Sequence, residues 1–176
     1  MQLVLPSIAY KSSYIEAVKE FQVDADNSHA SQSMKNLSTS ELEADFEKYV
    51  AIVLGQAHGE NLPEDWVPMT TYWLVDNGEY VGQIRIRHRL NEKLSKFHGH
   101  IGYDIRPSQR GKGYGSKMLA LALPKAKELG LSKLLITCMT TNTGSRKIIE
   151  KNGGVFESQV HDSEYDADLL RFWIDL

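Results

Sequence analysis

The chemistry suggested by this sequence begins with a glycine cluster, SQRGKGYGS, at residues 108–116. Glycine occupies three alternate positions, and Arg110, Lys112 and Lys117 lie among or directly after them. Glycine carries a high conformational entropy cost, so this density indicates a backbone that must turn sharply or approach a ligand closely. A strand pattern precedes the cluster and a helix pattern follows it. Free N–H groups at a helix N-terminus would therefore converge there, and such groups bind phosphate.

Two familiar nucleotide-binding patterns fit this cluster poorly. The P-loop requires G-x-x-x-x-G-K-[ST], whereas Gly115 is followed by serine and then lysine, and position 110 does not hold glycine. The dinucleotide fingerprint requires G-x-G-x-x-G near the first strand. The spacing here is G-x-G-x-G, and an antiparallel hairpin pattern precedes it. The cluster therefore belongs to neither class.

A third pattern, R/Q-x-x-G-x-G/A, matches RGKGYG at residues 110–115 completely. The entry strand IGYDIRPSQRGKG and the downstream segment NTGSRKIIEKNGG extend the match on both sides. On these motifs, residues 69–155 resemble the GNAT acetyltransferase superfamily, and more narrowly a branch of bacterial acetyltransferases. The downstream residues that match are Asn142, Ser145, Ile148, Glu150, Lys151 and Gly153.

The resemblance implies an α/β (α+β) GNAT fold, with a mixed central sheet of about six to seven strands and helices on both faces. It also implies a splayed parallel strand pair, 100–106 and 132–139, with the arm of acetyl-CoA in the gap. Acetyl-CoA would be the co-substrate, its pyrophosphate would lie on the glycine turn, and no metal is expected. The implied cofactor contacts are Ile105, Arg106, Pro107, Arg110, Gly111, Lys112, Gly113, Tyr114, Gly115, Ser116, Asn142, Ser145 and Lys147.

Two of these assignments have structural alternatives. Asn142 would equally serve as a plain N-cap of the helix that follows it. Lys147 or Lys151 would reach the adenosine phosphates, or both would belong with Arg146 to a solvated helix face.

The proton donor for the leaving thiolate departs from the family pattern. Many relatives carry a tyrosine where this chain has Ile149, whose side chain cannot donate a proton. Either Tyr103 or Tyr114 would therefore act as the general acid, or the thiolate would depart without receiving a proton from the protein.

The general base is also open, because the position where relatives often carry a glutamate holds Gly99. We favour His100, since the ordinary histidine pKa suits a base near neutral pH. His98, Asp104 and Glu92 are the alternatives, and both histidines would otherwise be plain surface residues of a strand.

The predicted elements that position these residues follow in the order strand, two helices, three strands, helix, strand, helix and two strands. Asn77-Gly78 marks a hairpin tip, and the strand–glycine-turn–helix–strand unit predicts a right-handed parallel crossover. Predicted helices cover 12–25, 38–59, 116–130 and 143–154; residues 24–36 are a predicted loop, and 91–97 are a short helix or a loop.

Length and composition bound the class of protein. The 176 residues, 41% hydrophobic and 24% charged, predict one globular domain, which the resemblance implies is an N-acetyltransferase domain. Within it we assign 1–68 to the acceptor side, 69–155 to the acetyl-CoA-binding core and 156–176 to C-terminal strands. Trp66, Tyr72 and Trp73 would line the acceptor groove or belong to the core.

Charge and cysteine content bear on partners and location. Residues 1–68 carry 4 basic against 11 acidic residues, which suits a solvated surface or an acidic lip for a cationic substrate. We expect no nucleic-acid partner, because the chain lacks a basic tract. We also expect no membrane partner, no signal peptide and a cytoplasmic location. The single cysteine, Cys138, is expected in the core.

The sequence therefore predicts an acetyl-CoA-dependent N-acetyltransferase that moves an acetyl group to a primary amine by direct attack in a ternary complex. The acceptor would be a small molecule or a peptide amine, and the final strands are candidate homodimer edges. A non-catalytic acyl-CoA sensor or scaffold is the alternative. A nucleotide-dependent enzyme is a third hypothesis, which stabilisation by ATP or NAD would support.

Overall fold

The strands of the computed structural model, which describes residues 1–25 and 29–176, form two antiparallel sheets. One sheet has the order β1-β2-β3-β4: β1 Gln2–Val4, β2 Met69–Asp76, β3 Glu79–Arg87 and β4 Ile101–Ile105. The other has the order β5-β7-β6: β5 Lys133–Met139, β6 Val155–Asp162 and β7 Ala167–Asp175. This mixture of helices and strands confirms the α/β class.

Helices cover both faces of the first sheet. One group packs on Trp73 and Tyr80, and α5 packs on the opposite face against Ile84 and Ile86. Helix α6 then lies against α5 and β5. The helices are α1 Lys11–Val23, α2 His29–Lys35, α3 Thr39–Ala44, α4 Phe46–Gly55, α5 Tyr114–Glu128 and α6 Thr143–Lys151.

The predicted hairpin is confirmed between β2 and β3. Asn77 and Gly78 form its tip with φ angles of 50° and 83°, which is the left-handed backbone that a two-residue hairpin turn requires. Ile84 and Ile86 point into the core, as their alternation predicts.

The predicted splay interrupts the sheet between β4 and β5. These strands are neighbours, yet the bridge between them is an isolated one, from Gly99, just before β4, to Ile136 in the middle of β5. A backbone hydrogen bond from His100 N–H to the Leu135 carbonyl, 2.7 Å long, lies beside it. The strands therefore diverge from this point, and two sheets stand where one continuous sheet was expected.

The predicted loop over residues 24–36 is wrong in its second half. Residues 26–28 lie outside the described part of the chain, but His29–Lys35 form α2. Met34 explains this helix, because its buried side chain contacts the Tyr14 hydroxyl and the Gln83 amide. Tertiary packing thus outweighs a polar sequence with weak helix propensity.

The predicted helix over 38–59 is divided in two. It begins as predicted, with the Ser38 side chain accepting the Glu41 N–H. Asp45 then leaves helical geometry and caps α4 by accepting the Lys48 N–H at 3.0 Å. Aspartate favours such a cap over a helix interior, which explains the break.

Candidate functional site

A cavity of about 480 Å³ occupies the gap between β4 and β5. At one end it meets the glycine turn and the start of α5, at Gly111–Ser116. At the other end it meets Phe97 and His98 on one side and the β6–β7 hairpin on the other. The divergence of the two strands therefore creates an elongated site with two chemically different ends.

The glycine turn presents the N-terminus of α5 to the cavity. Gly111 and Gly113 have φ angles of 77° and 82°, which glycine adopts without strain. Gly113 is the N-cap and supplies no side-chain cap, so the helix relies on other partners for its first N–H groups. Gly115 packs closely on α6, since an added Cβ would lie 2.5 Å from Ile148 Cδ1 and the isoleucine side chain would have to move. This end suits an anion.

The structure brings most of the predicted cofactor residues to the cavity. Four of them are not among the lining residues: Arg106, Pro107, Lys112 and Lys147. Those that line it are Ile105, Arg110, Gly111, Gly113, Tyr114, Gly115, Ser116, Asn142 and Ser145.

Two predicted cofactor-contacting arginines, Arg106 for the pantetheine arm and Arg110 for the pyrophosphate, are already paired with acidic residues of α1 and its C-cap. Arg106 Nε donates to Glu20 at 2.8 Å, and Arg110 NH1 donates to Asp24 at 2.7 Å. Glu20 also accepts the Ser108 N–H at 3.0 Å. Burial alone would raise the pKa of Glu20, but the bonds from Ser108 and Arg106 lower it below its ordinary value. Helix α1 therefore fixes the entry to the glycine turn.

Tyr103 and Ser145 face each other across the middle of the cavity. Their hydroxyl oxygens are 2.7 Å apart, joining β4 to α6. Burial raises the pKa of Tyr103 above its ordinary value, although the Ser145 bond works against this. The phenol, which is protonated at neutral pH as an ordinary tyrosine is, can act as a proton donor.

The other candidate acid, Tyr114, has its hydroxyl engaged elsewhere. It donates to Asp76 at 2.7 Å, and this bond raises the pKa of Tyr114. Ile149 is fully buried in the core, whereas its neighbour Ile148 lines the cavity. The residue in the usual tyrosine position therefore does not face the site.

His100, the favoured base, does not line the cavity. It is only 8% exposed, and its Nδ1 accepts the Leu135 N–H at 2.9 Å. Burial, together with the charge of Arg87, lowers the pKa of His100. With Nδ1 occupied as an acceptor, the neutral ring carries its proton on Nε2. This geometry gives His100 a role in joining the sheets.

Asp104 lines the cavity, but its carboxylate is bound to the sheet. Its Oδ2 accepts from Arg85 at 2.7 Å, and Gln83 lies 3.4 Å away. Glu92 is exposed and does not line the cavity. Asp104 therefore reaches the cavity as a paired carboxylate, and Glu92 does not reach it.

His98 lines the cavity from a π-helical turn, Leu94–His98. Such turns recur at functional sites, and side chains from three strands hold this one in place. The Arg171 guanidinium donates to the backbone carbonyls of Ser95 (2.6 Å) and Lys96 (2.7 Å). The Thr137 hydroxyl donates to the Phe97 carbonyl (2.9 Å), and the Arg87 guanidinium donates to the Gly99 carbonyl (3.0 Å). Gly99 ends the turn with φ 64°, where an added Cβ would overlap the Leu135 carbonyl oxygen.

Asn142 and Cys138 have structural roles as well as places on the cavity wall. Asn142 caps α6 by accepting the Ser145 N–H at 2.8 Å, so the N-cap alternative is confirmed. Cys138 is buried, and burial raises the pKa of its thiol.

The aromatic residues proposed for the acceptor groove lie elsewhere. Trp73 is in the core, Tyr72 packs on the α5 side, and Trp66 is exposed. None of the three lines the cavity.

The sequence hypothesis missed the end of the cavity formed by the π-helical turn and the β6–β7 hairpin. Asp162 and Tyr165 line it, together with Phe97 and Thr137. The alternation of β5 could have indicated Thr137, but nothing in an acidic hairpin distinguishes Asp162 from its neighbours.

No helix within residues 1–25 and 29–176 is long and apolar enough to cross a membrane. A search of the same residues finds no group of three or more side chains suited to hold a metal ion.

Comparisons with known proteins agree with this geometry. The profile of the Acetyltransferase (GNAT) domain family matches residues 13–155. A search of curated proteins gives no match by sequence.

Several solved structures share the fold. The ribosomal L7/L12 α-N-protein acetyltransferase RimL, in complex with coenzyme A, has a TM-score of 0.71 at 16% identity, covering 99% of this chain and 93% of its own. The microcin C7 self-immunity acetyltransferase MccE, with acetyl-CoA and AMP, scores 0.72 at 14% identity, covering 99% and 91%. A spermidine N-acetyltransferase SpeG chimera from Vibrio cholerae and hSSAT scores 0.64 at 17% identity, covering 99% and 96%.

Proposed function

The chain belongs to the GNAT acetyltransferase family, and we propose that it moves the acetyl group of acetyl-CoA to a primary amine by direct attack in a ternary complex. The observation that carries the proposal is the cavity between β4 and β5, which runs from the N-terminus of α5 to the turn Leu94–His98 and the β6–β7 hairpin. A donor with a phosphate end and a reactive thioester end fits this arrangement.

The donor would enter with its pyrophosphate at the glycine turn. The first N–H groups of α5 and the helix dipole favour an anion at Gly113–Ser116. Its pantetheine arm would lie in the gap between β4 and β5, with its amides facing the strand backbones. When bound, acetyl-CoA supplies an activated acyl group, and the chain orients it.

The leaving thiolate would receive its proton from the Tyr103–Ser145 pair. As the amine nitrogen bonds to the thioester carbon, the carbon–sulfur bond breaks and its electrons go to sulfur. Tyr103 would give its phenolic proton to sulfur, and because burial raises its pKa the tyrosinate would regain a proton from water, to which the proton taken from the amine returns. Ser145 would hold the phenol oxygen in place through their 2.7 Å hydrogen bond. This pair supports an enzyme over a non-catalytic sensor.

The amine would lose its proton to His98. This ring lines the cavity, whereas the ring of His100 bonds to β5 outside it. The anchored turn would hold His98 within reach of the acceptor, as a general base requires.

The test is release of coenzyme A thiol with a panel of primary amines. We expect thiol release that depends on the amine, with the acetylated amine identified by mass spectrometry. Binding of acetyl-CoA without turnover on any amine would contradict the proposal and favour the sensor. Omission of the amine is the control for hydrolysis.

A further inference from the structure

We infer that the end of the cavity remote from the glycine turn binds the acceptor as an ammonium ion, and that Asp162 determines this specificity. The inference rests on the proposed function and deepens it. It assigns recognition of an aliphatic amine that is cationic at neutral pH to Asp162, which the sequence hypothesis did not include.

The position follows from the two ends of the cavity. The glycine turn and α5 take the anionic end of the donor, and Tyr103 and Ser145 lie between the ends. The acceptor must reach the thioester from the side that the cofactor arm does not fill. That side is lined by the π-helical turn Leu94–His98 and the β6–β7 hairpin.

Strand register places the Asp162 side chain on the cavity wall. Asp162 pairs with Ala167, and Leu169 follows on the same face of β7. All three residues line the cavity. Asp162 is only 2% exposed, and its Oδ1 accepts the Glu164 N–H at 3.0 Å, which fixes the carboxylate. A carboxylate buried to this degree favours a cationic ligand.

The neighbouring acidic residues differ from Asp162 in their pairing. Lys93 forms an ion pair with Glu164, 2.5 Å long. This bond raises the pKa of Lys93, and the charge of Asp162 adds a smaller effect in the same direction. His161 bonds to Asp168 at 3.0 Å on the outer face. Among the ion pairs of residues 1–25 and 29–176, none includes the Asp162 carboxylate.

The other residues at this end of the cavity suit the alkyl chain to which the ammonium group is attached. The rings of His98 and Tyr165 meet edge to face with their centroids 6.3 Å apart. Phe97 and Leu169 add apolar wall. Aromatic faces beside a carboxylate attract ammonium groups, and the apolar residues can cover the carbon chain.

The first experiment uses the unaltered protein and a matched pair of inhibitors. An alkyltrimethylammonium ion should compete with the best amine acceptor at a concentration at least tenfold lower than its neutral tert-butyl isostere. Equal inhibition by the two compounds would overturn the inference, because shape alone would then explain binding.

The second experiment uses Asp162→Asn, with Asp168→Asn as a matched control on the same hairpin. We expect Asp162→Asn to lower kcat/KM for an alkylamine at least tenfold, with the KM for acetyl-CoA unchanged and Asp162→Glu partly active. A neutral arylamine or hydrazide acceptor should be affected less than threefold. Equal losses on both acceptor types, or no loss on either, would overturn the inference.

The outcomes also separate the two proposals. If acetyl-CoA binds and no amine turns over, the proposed function fails, and the inference falls with it. If amines turn over without discrimination by charge, only the inference fails. If Asp162→Asn does not fold, the inhibitor pair on the unaltered protein decides.

Discussion

The Tyr103 hydroxyl lies 2.7 Å from the Ser145 hydroxyl, so one hydrogen bond connects β4 to α6 across the cavity. Because this contact holds the phenol at the cavity wall, substitution of Tyr103 tests the leaving-group step. We expect Tyr103→Phe to lower kcat roughly 10²-fold, since general acids contribute about that much, with little change in the KM for acetyl-CoA.

Steady-state kinetics with thiol detection would measure this effect. Tyr72→Phe is the matched control, because Tyr72 lies outside the cavity on the α5 side. Equal activity of Tyr103→Phe and the unaltered protein would show that the thiolate leaves without this proton.

Substitutions of His98 and His100 should have different effects on kcat. His98→Gln removes the ring that lines the cavity, so we expect kcat to fall roughly 10²-fold or more and the rise of the rate with pH to disappear. His100→Gln should keep kcat within about threefold, because His100 bonds to β5 and does not line the cavity. A pH–rate profile of both variants checks this. The opposite ranking would restore His100 as the base.

His100 should instead affect stability against acid. Its pKa is lowered in the folded state by burial and by Arg87, so the unfolded chain takes up protons more readily. The free energy of unfolding should therefore be highest above about pH 6.5 and fall as the pH drops below the ordinary histidine pKa.

Urea unfolding between pH 7.5 and 5 would measure this slope. His100→Gln should reduce it, and the remaining part should include His88, whose pKa burial also lowers. An unchanged slope would mean that His100 titrates alike in both states.

The ion pair between Asp24 and Arg110 should weaken the affinity for acetyl-CoA. Asp24 neutralises an arginine that lines the phosphate end of the cavity. We expect Asp24→Asn to tighten coenzyme A binding about two- to fivefold, the scale of a partly exposed ion pair, with a smaller gain at high salt.

Calorimetric titration at two salt concentrations would test this change. Glu16→Gln is the control: it removes the same charge from α1, the helix that Asp24 follows, and Glu16 pairs with Lys19. Weaker binding by Asp24→Asn would show that Asp24 supports the turn more than it competes with the ligand.

The turns and helix caps that the sequence predicted correctly have local signals. The glycine turn lies between a strand pattern and a helix pattern, and its left-handed backbone at Gly111 and Gly113 needs glycine in any context. The hairpin at Asn77-Gly78 is specified in the same way. The caps of α3 and α6 at Ser38 and Asn142 are equally local.

The parts that the sequence did not reveal depend on distant contacts. Arg106 and Glu20 are 86 positions apart, and no spacing indicates their pairing. Asp162 lies in an acidic hairpin whose other acidic members are exposed, so only the register of β6 and β7 shows which carboxylate faces the cavity. Met34 supplies the packing for α2 from one apolar position.

Gly99 sets a limit on how this scaffold could be re-engineered. A designer who wished to install the family's glutamate at this position would have to displace the Leu135 carbonyl, because the backbone leaves no room for a Cβ. A catalytic side chain therefore cannot be introduced at this turn by a single substitution of Gly99. New acceptor preferences are more accessible at the exposed residues of the β6–β7 hairpin, where side chains can be exchanged without rebuilding the join between the two sheets.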